Sequence, residues 1–271
     1  MIRLEKIKYD YKNKRIFRGL DLSIRKGSYV SITGPNGSGK TTLAMLVKGF
    51  LSPTSGKVFY EDKDVTGEGL NDRIAYIFSN PENQIVSSLV SEDIAFGPEN
   101  QGESGCELVA AVSRAVSESN MASLTDALTH QLSGGQQQRV AIAGILAMKV
   151  DCIIFDEAVS MVDPAGKREI LDTLDRLSRK EGITIIHITH SLEDILKSER
   201  VVALQEGSIV FDGPPSGILE NLKVTSALGW QRKGPAGFIK CLIEKRLLPC
   251  EYSYSPEGVA ECLARGYDPE S

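Results

Sequence analysis

The feature that most constrains the fold is the glycine-rich stretch at residues 34–42, which has the form G-x-x-x-x-G-K-[ST]. Its glycines permit backbone conformations that a Cβ would forbid, so several amide N–H groups can converge on one phosphate. An apolar run at 29–33 predicts a strand before the stretch, and 43–48 predicts a helix after it, ended by Gly49. The sequence therefore predicts a nucleotide-binding loop, with phosphate contacts from Gly34, Pro35, Asn36, Gly37, Ser38, Gly39, Lys40, Thr41 and Thr42.

Two side chains of this loop have separate predicted roles. Lys40 is expected to reach the β- and γ-phosphates, and the hydroxyl of Thr41 is expected to bind Mg²⁺. The alternative is a glycine turn that matches the motif by chance, and the strand before it and the helix after it argue against that alternative. A nucleoside triphosphate and Mg²⁺ are therefore the predicted ligands.

Composition narrows the classes of protein and partner. The chain has 271 residues, a net charge of −5 and 41% hydrophobic residues, as expected for a soluble protein with a large core. The acidic balance gives no electrostatic footprint for nucleic acid, so no nucleic-acid partner is expected. No apolar run approaches the roughly 20 residues that cross a bilayer, and the charged N-terminus is no signal peptide. A membrane role would therefore require a partner.

Cysteine usage bears on the compartment. The five cysteines are scattered, and none forms a C-x-x-C pair. In a chain of this length that spacing favours a reducing cytosol and structural thiols.

Apolar patterns predict two kinds of sheet. Residues 2–9, 17–24 and 57–60 are short and separated by tight turns, which indicates a small antiparallel sheet beside the nucleotide site. Residues 74–78 are continuously apolar, as in a parallel strand covered on both faces. The predicted fold class is α/β, with a parallel-sheet core and an antiparallel β subdomain.

Helical spacing predicts an insertion into this core. Residues from about 85 to 138 are expected to form a helical subdomain between two core strands. A serine-capped helix is expected to begin at Ser91, and further helices are expected at 107–119 and 121–128.

The nucleotide-binding domain is expected to span residues 1–213, and residues 214–271 are expected to form a C-terminal helical module. The module begins with a short helix at 216–222 and has longer helices at 236–247 and from Ser255. It is expected to add dimer contacts, the alternative being simple core packing.

Acidic and basic side chains follow the predicted core strands. Asp156 and Glu157 end an apolar strand, where one carboxylate can hold Mg²⁺ and the next can polarise the water that attacks the γ-phosphate. The alternative is that the pair caps the following helix. His190 ends another strand, and its role is either structural or contact with the γ-phosphate. His130 and His187 lack this placement and are interpreted as structural.

Two further positions suggest ligand contacts. Ser133 precedes two glycines at a helix start, which makes a second phosphate-sized anion site. Tyr11 lies in the predicted loop between the first two strands, where it either stacks on a purine ring or packs on the surface.

Together these residues resemble the nucleotide-binding subunit of an ATP-binding cassette (ABC) transporter, a P-loop NTPase, over residues 1–213. Residues 34–42 match Walker A, 152–157 match Walker B with its adjacent glutamate, 160–163 match the D-loop, and His190 matches the switch histidine. The signature pentapeptide that separates this family from other P-loop enzymes is matched by Leu132, Ser133, Gly134, Gly135 and Gln136.

The sequence is most similar to the ATPase subunits of energy-coupling factor (ECF) vitamin and metal importers. Residues 78–84 resemble their stretch F-Q-N-P-[DE]-N-Q, and residues 92–100 resemble their E-D-D-V-A-F-G-P-E-N. The resemblance implies ATP and Mg²⁺ as ligands, and it implies that Tyr11 stacks on adenine. It also implies that Thr41 and Asp156 hold the ion and that Glu157 and His190 are catalytic.

The resemblance implies three protein partners. Two cassettes form a head-to-tail dimer in which Ser133 serves the ATP of the other cassette, with Asp163 in the D-loop. An integral membrane coupling subunit and a substrate-binding membrane subunit complete the importer. This chain is then a peripheral protein at the cytoplasmic face of the membrane.

The chain departs from the family pattern at two places, at Ser79 and at residues 157–159, where Glu157-Ala158-Val159 stands in place of the usual E-P-T. Ser79 stands where the family has the glutamine that reaches Mg²⁺ and the attacking water, and serine is shorter by two methylenes and has no amide. This predicts one half of a heterodimer with unequal sites, against a homodimer. The rival functions are a soluble ABC ATPase, an exporter ATPase and a regulatory subunit that binds ATP without hydrolysing it.

Overall fold

The computed structural model describes residues 1–12, 14–160, 162–220 and 224–225. The strands are β1 (Ile2–Tyr11), β2 (Lys14–Ile24), β3 (Tyr29–Thr33), β4 (Ser55–Tyr60), β5 (Lys63–Asp64), β6 (Ile74–Ile77), β7 (Cys152–Asp156), β8 (Thr184–Ile188), β9 (Arg200–Gln205) and β10 (Ser208–Gly213). The helices are α1 (Lys40–Lys48), α2 (Val90–Asn100), α3 (Gly105–Glu118), α4 (Gly134–Ala147), α5 (Pro164–Glu181), α6 (Leu192–Lys197) and α7 (Pro215–Glu220).

The larger sheet has the strand order β10-β9-β3-β8-β7-β6. All neighbours from β9 to β6 are parallel, and β10 is antiparallel at the edge. Every residue of β3, β6, β7 and β8 is buried, which explains why their sequences are mostly apolar. Parallel strands place their carboxyl ends at one edge, so the segments that follow β3, β7 and β8 meet there.

Residues of β7 alternate between two hydrophobic clusters on opposite faces of this sheet. Ile153 and Phe155 lie in the cluster formed with α2, α4 and α5, whereas Cys152 and Ile154 lie in the cluster formed with α1 and the small sheet. Each fully buried aliphatic side chain stabilises the fold by roughly 1.5–3 kcal/mol. The two faces together hold the carboxyl end of β7 rigidly in place.

The smaller sheet is antiparallel, with the order β2-β1-β4-β5, which confirms the predicted subdomain. Ile2, Leu4 and Ile7 face its buried side. A bulge at Lys6, which has a φ of 50°, adds one residue between Leu4 and Ile7 and so keeps Ile7 on the same face as the other two. β1 continues to Tyr11, which pairs with Lys14. Tyr11 therefore ends a strand and does not lie in a loop, because pairing with β2 extends almost to the turn.

Two expectations for the helical insertion are wrong. Residues 121–128 do not form a helix beyond one short turn at Ala122–Leu124, because their backbone pairs with residues around the start of α2. The N–H groups of Val90 and Ser91 donate to residues 127 and 125. The helix expected to begin at Ser91 begins at Val90 without a side-chain cap.

The expected helices at 236–247 and from Ser255 lie outside the described residues. The expected helix at 216–222 is present as α7, although residues 221 and 222 also lie outside the described residues. Among the residues that the structure describes, no helix has the length and apolar character needed to cross a membrane.

Candidate nucleotide site

The predicted phosphate loop connects β3 to α1 and is enclosed by two other strands. Gly34 has a φ of 148°, and a Cβ there would collide with the carbonyl oxygen of Leu204 in β9. Gly39 has a φ of 106°, and a Cβ there would lie 2.9 Å from the ring of Phe17 in β2. Glycine is therefore required at both positions by conformation and by space.

Two polar side chains in the loop suit an anion. Lys40 is 6% exposed, and its Nζ donates to the carbonyl oxygens of Gly34 at 2.9 Å and Pro35 at 3.2 Å. Burial lowers the pKa of Lys40, whereas the charge of Glu157 raises it. The hydroxyl of Ser38 is buried and has no hydrogen-bond partner among the described residues. Such an orphaned donor beside a lysine fits a phosphate oxygen.

The predicted magnesium ligands lie together, with Thr41 at the start of α1 and Asp156 at the end of β7. The hydroxyl of Thr41 donates to Oδ1 of Asp156 at 3.2 Å, and the hydroxyl of Tyr76 donates to Oδ2 at 2.7 Å. Burial raises the pKa of Asp156, although both hydrogen bonds oppose that effect. One hydroxyl and one carboxylate fit Mg²⁺, which proteins hold with a few oxygen ligands plus substrate phosphates.

Glu157 and His190 lie together beside this pair. Glu157 has a φ of 56°, and its N–H donates to the carbonyl oxygen of Ile188 at 3.0 Å, which fixes the end of β7 against the end of β8. This turn brings Oε1 of Glu157 to 3.0 Å from Nε2 of His190. Burial, and then the charge of Lys40, lower the pKa of His190, while Glu157 raises it. A non-glycine residue in the left-handed region is costly and is often found at functional sites.

His187 lies in a separate buried network, in agreement with its structural interpretation. Its Nδ1 lies 3.0 Å from the hydroxyl of Tyr29, and its Nε2 lies 3.8 Å from Oδ2 of Asp194. Asp194 is 1% exposed, forms a 2.6 Å ion pair with Lys167 and accepts a 2.7 Å hydrogen bond from Thr189. This network ties the start of α5 to the segment that carries His190.

The predicted second anion site lies at the start of α4. Ser133 is the N-cap, its Oγ accepts the N–H of Gln136 at 3.3 Å, and Oε1 of Gln136 accepts the N–H of Ser133 at 2.9 Å. This capping box stabilises the helix start. Ser133 and Gly134 are exposed, so the helix start is open to solvent.

A protein-family model described as ABC transporter matches residues 17–160. This chain belongs to the ABC transporter family. A relative from Clostridioides difficile, named energy-coupling factor transporter ATP-binding protein EcfA1, is 39% identical over 84% of this chain and 86% of its own length. The relative named energy-coupling factor transporter ATP-binding protein EcfA from Methanosarcina acetivorans is 39% identical over 98% of both chains.

Solved structures of ABC cassettes share this fold. CbiO1 from Clostridium perfringens, described as part of the ABC transporter complex cbiONQ, has a TM-score of 0.75 and 31% identity over 90% of this chain and 98% of its own. The dimeric cassette MJ0796 bound to ADP and Pi has a TM-score of 0.73 and 26% identity over 79% of this chain and 99% of its own. The protein is an ABC-type ATP hydrolase with the P-loop α/β fold.

Within this ABC cassette, the structure also shows where the remaining predicted residues lie. Tyr11 is 58% exposed at the end of the β1–β2 hairpin, and that hairpin contacts the phosphate loop through Phe17. Ser79 is exposed just beyond β6. Asp163 is the N-cap of α5 and accepts the N–H of Gly166 at 2.9 Å. The N–H of Gly166, and then Arg139, hold the pKa of Asp163 below its usual range.

Three site residues were not predicted from the sequence. Tyr76 contacts Asp156, Gln138 donates to the carbonyl oxygen of Phe78 at 3.2 Å, and Arg139 pairs with Asp163 at 2.7 Å. Tyr76 does carry a signal, since it is the one phenol in an otherwise aliphatic strand. Gln138 and Arg139 carry no such signal in the sequence, because their partners are distant along the chain.

Proposed function

We propose that this ABC ATPase is the cassette subunit that powers an ECF-type importer of a vitamin or a metal ion. The observation that carries the proposal is the convergence of Thr41, Asp156, Glu157 and His190 beside the phosphate loop. The names of the relatives from C. difficile and M. acetivorans support the ECF assignment. The rival of a soluble ABC ATPase predicts no membrane partner, so co-purification with a membrane protein discriminates between the two.

Each side chain has a defined task in ATP hydrolysis. Loop amides, Ser38 and Lys40 bind the phosphates, and Tyr11 stacks on adenine. Thr41 and Asp156 would hold Mg²⁺, which when bound would neutralise phosphate charge. Glu157 orients the attacking water, and His190 contacts the γ-phosphate.

The role of Glu157 is tested by replacing its carboxylate with an amide. Glu157→Gln is expected to lower ATP turnover by at least about 100-fold, because general-base assistance is lost, and to leave Mg-ATP binding unchanged. Glu206→Gln is the matched control, since Glu206 is exposed and also has a left-handed backbone, with a φ of 49°. Full turnover by Glu157→Gln would contradict the assignment.

The second cassette is proposed to meet the exposed start of α4. Leu132, Ser133, Gly134, Gly135 and Gln136 then face the partner's ATP in a head-to-tail dimer. The exposure of Ser133 and Gly134 supports this role, because an open helix N-terminus attracts an anion. Asp163 and Arg139 connect this helix to the D-loop.

We favour a heterodimer with unequal sites because Ser79 lacks the reach and the amide of glutamine. Ser79→Gln is expected to raise turnover at this chain's own site, and Ser123→Gln, at another exposed serine, is the control. An isolated wild-type chain with full turnover, unchanged by Ser79→Gln, would contradict the unequal-site proposal. A regulatory subunit with weak hydrolysis is the second candidate, and a partner cassette that fails to raise turnover would favour it.

A groove between the sheet body and the insertion is the proposed docking surface for the membrane coupling subunit. It measures about 820 Å³ and is lined by Phe50, Tyr76, Phe96 and Gly97 among others. Phe50 is 41% exposed and Phe96 is 48% exposed. Exposed aromatics in a concave surface suit an apolar segment of a partner, such as a short helix.

Phe96→Asp is expected to abolish co-purification with the membrane subunit and to preserve ATP binding. Val109→Asp is the control, because Val109 is 64% exposed on α3 and does not line the groove. Equal effects of both variants would argue against this groove.

A separate membrane subunit is proposed to bind the substrate, which places this chain at the cytoplasmic face of the membrane as a peripheral subunit. The 214–271 module is proposed to add dimer contacts.

A further inference from the structure

Tyr76 is the third residue of β6, and its hydroxyl contacts the predicted magnesium ligand. The side chain is 5% exposed, and its hydroxyl donates to Oδ2 of Asp156 at 2.7 Å. Thr41 donates to the other oxygen, Oδ1, at 3.2 Å. Both oxygens of the carboxylate are therefore held, by side chains from two different elements.

The ring of Tyr76 has little freedom to move. It lies 4.7 Å from the ring of Phe78 and 5.4 Å, in edge contact, from the ring of Phe50, measured between centroids. Ring pairs at these separations and angles are attractive. The hydroxyl consequently presents a fixed donor to Asp156, which is itself 7% exposed.

We propose that Tyr76 is a positioning residue for the magnesium site. Its hydroxyl holds Oδ2 and so directs Oδ1 of Asp156 towards Thr41 and the ion. This inference rests on the proposed function, since it requires that Asp156 bind Mg²⁺ with ATP. Donors that hold a metal-binding carboxylate from behind often contribute 10–100-fold to metal affinity or activity. Tyr76 also precedes Ser79 on the same segment, where the family glutamine is missing.

A purely structural role for the hydrogen bond makes a different prediction. A buried phenol needs a partner, and removing its hydroxyl would then lower the stability of the fold and leave metal affinity unchanged. A direct measurement of metal affinity therefore separates the two roles.

The chain contains a matched control at the other end of β7. Tyr60 donates to Oδ2 of Asp151 at 2.8 Å, and Asp151 immediately precedes β7. Tyr60→Phe thus removes the same type of hydrogen bond from the residue next to the start of the same strand, away from the phosphate loop. Tyr76→Phe keeps the ring packing and removes only the hydroxyl.

The experiment measures Mn²⁺ affinity by electron paramagnetic resonance in the presence of a non-hydrolysable ATP analogue. Tyr76→Phe is expected to weaken Mn²⁺ binding roughly 10-fold. Tyr76→Met, which also lacks the hydroxyl, is expected to show the same loss. Tyr60→Phe is expected to match the wild type, and binding of the analogue without metal is expected to be equal in all four proteins.

Two results would overturn this inference without affecting the proposed function. One is wild-type Mn²⁺ affinity in Tyr76→Phe and Tyr76→Met, and the other is an equal loss in Tyr60→Phe, which would indicate general loosening of β7. A wild-type chain that binds no Mn²⁺ with the analogue would instead overturn the proposed function, and this inference with it.

Discussion

His187 and His190 lie three residues apart, and their surroundings give them different properties. His187 is fully buried between Tyr29 and Asp194, whereas the side chain of His190 is 39% exposed beside Glu157. A histidine without exposure is poorly able to take up a proton, because burial disfavours the charged form. The first histidine therefore affects the stability of the fold, and the second remains accessible to a ligand.

We predict that His187 makes stability depend on pH. Burial lowers its pKa from 6.5 to about 4, with Lys167 adding to that effect and Asp194 opposing it. Between these values the unfolded chain binds a proton at this histidine and the folded chain does not. The free energy of unfolding should therefore fall as the pH falls, by roughly 2 kcal/mol between pH 6.5 and pH 5.

Urea unfolding at several pH values measures this effect. His187→Gln is expected to remove that part of the acid sensitivity, and His130→Gln, at an exposed histidine, is expected to retain it. Equal pH dependence in the wild type and His187→Gln would show that other groups cause the acid sensitivity.

At the same scale, the predicted site residues that the structure brings together lie in consecutive motifs. Asp156 and Glu157 are recognisable because they end or directly follow a core strand, and Lys40 and Thr41 are recognisable because they follow the glycine-rich loop after β3. Tyr76 was not recognised, because its partner Asp156 is 80 positions away and only the pairing of β6 with β7 brings them together.

At the scale of elements, the C-terminal ends of α1 and α5 differ in how closely other residues surround them. Gly49 and Gly182 are the C-caps of these helices, with φ values of 89° and 69°. A Cβ on Gly49 would collide with the carbonyl oxygen of Gly69, whereas one on Gly182 would meet open space. The same cap conformation therefore has different neighbours.

We predict different costs for alanine at these two caps. Gly182→Ala should lower the free energy of unfolding by about 1 kcal/mol, which is the cost of a left-handed alanine. Gly49→Ala should lower it by roughly 3 kcal/mol, because the backbone of Gly69 must also move. Urea unfolding of both variants measures the difference, and equal losses would mean that residues 49 and 69 are not in close contact.

Element prediction succeeded where burial is uniform and failed where tertiary pairing decides. The mostly apolar runs of β3, β6, β7 and β8 were recognisable in the sequence, because strands that are covered on both faces contain few polar residues. Residues 121–128 have helix-forming composition, yet their backbone groups pair with residues 88–91. Such pairing depends on the approach of two distant segments, which local propensity does not report.

At the scale of the whole molecule, α4 connects three functional segments. Ser133 begins it, Gln138 donates to the segment after β6 that carries Ser79, and Arg139 pairs with Asp163 of the D-loop. These contacts link the other two segments to the helix that begins at Ser133. We infer that binding of a second cassette at Ser133 affects the segment that carries Ser79 and the D-loop.

The final prediction concerns this interface in the assembly of the chain with its second cassette. Ser133→Arg should lower ATP turnover by the assembly roughly 100-fold, because a bulky cation would replace the donor that is proposed to face the partner's ATP. Nucleotide binding by the isolated chain should be unchanged, and loss of the helix cap should cost about 1 kcal/mol of stability. Ser104→Arg is the control for an arginine added at a helix start, since Ser104 is an exposed N-cap of α3, also 14 residues long, whose side chain makes no cap hydrogen bond. Wild-type turnover by Ser133→Arg, or an equal loss in Ser104→Arg, would show that the start of α4 does not meet the partner's ATP.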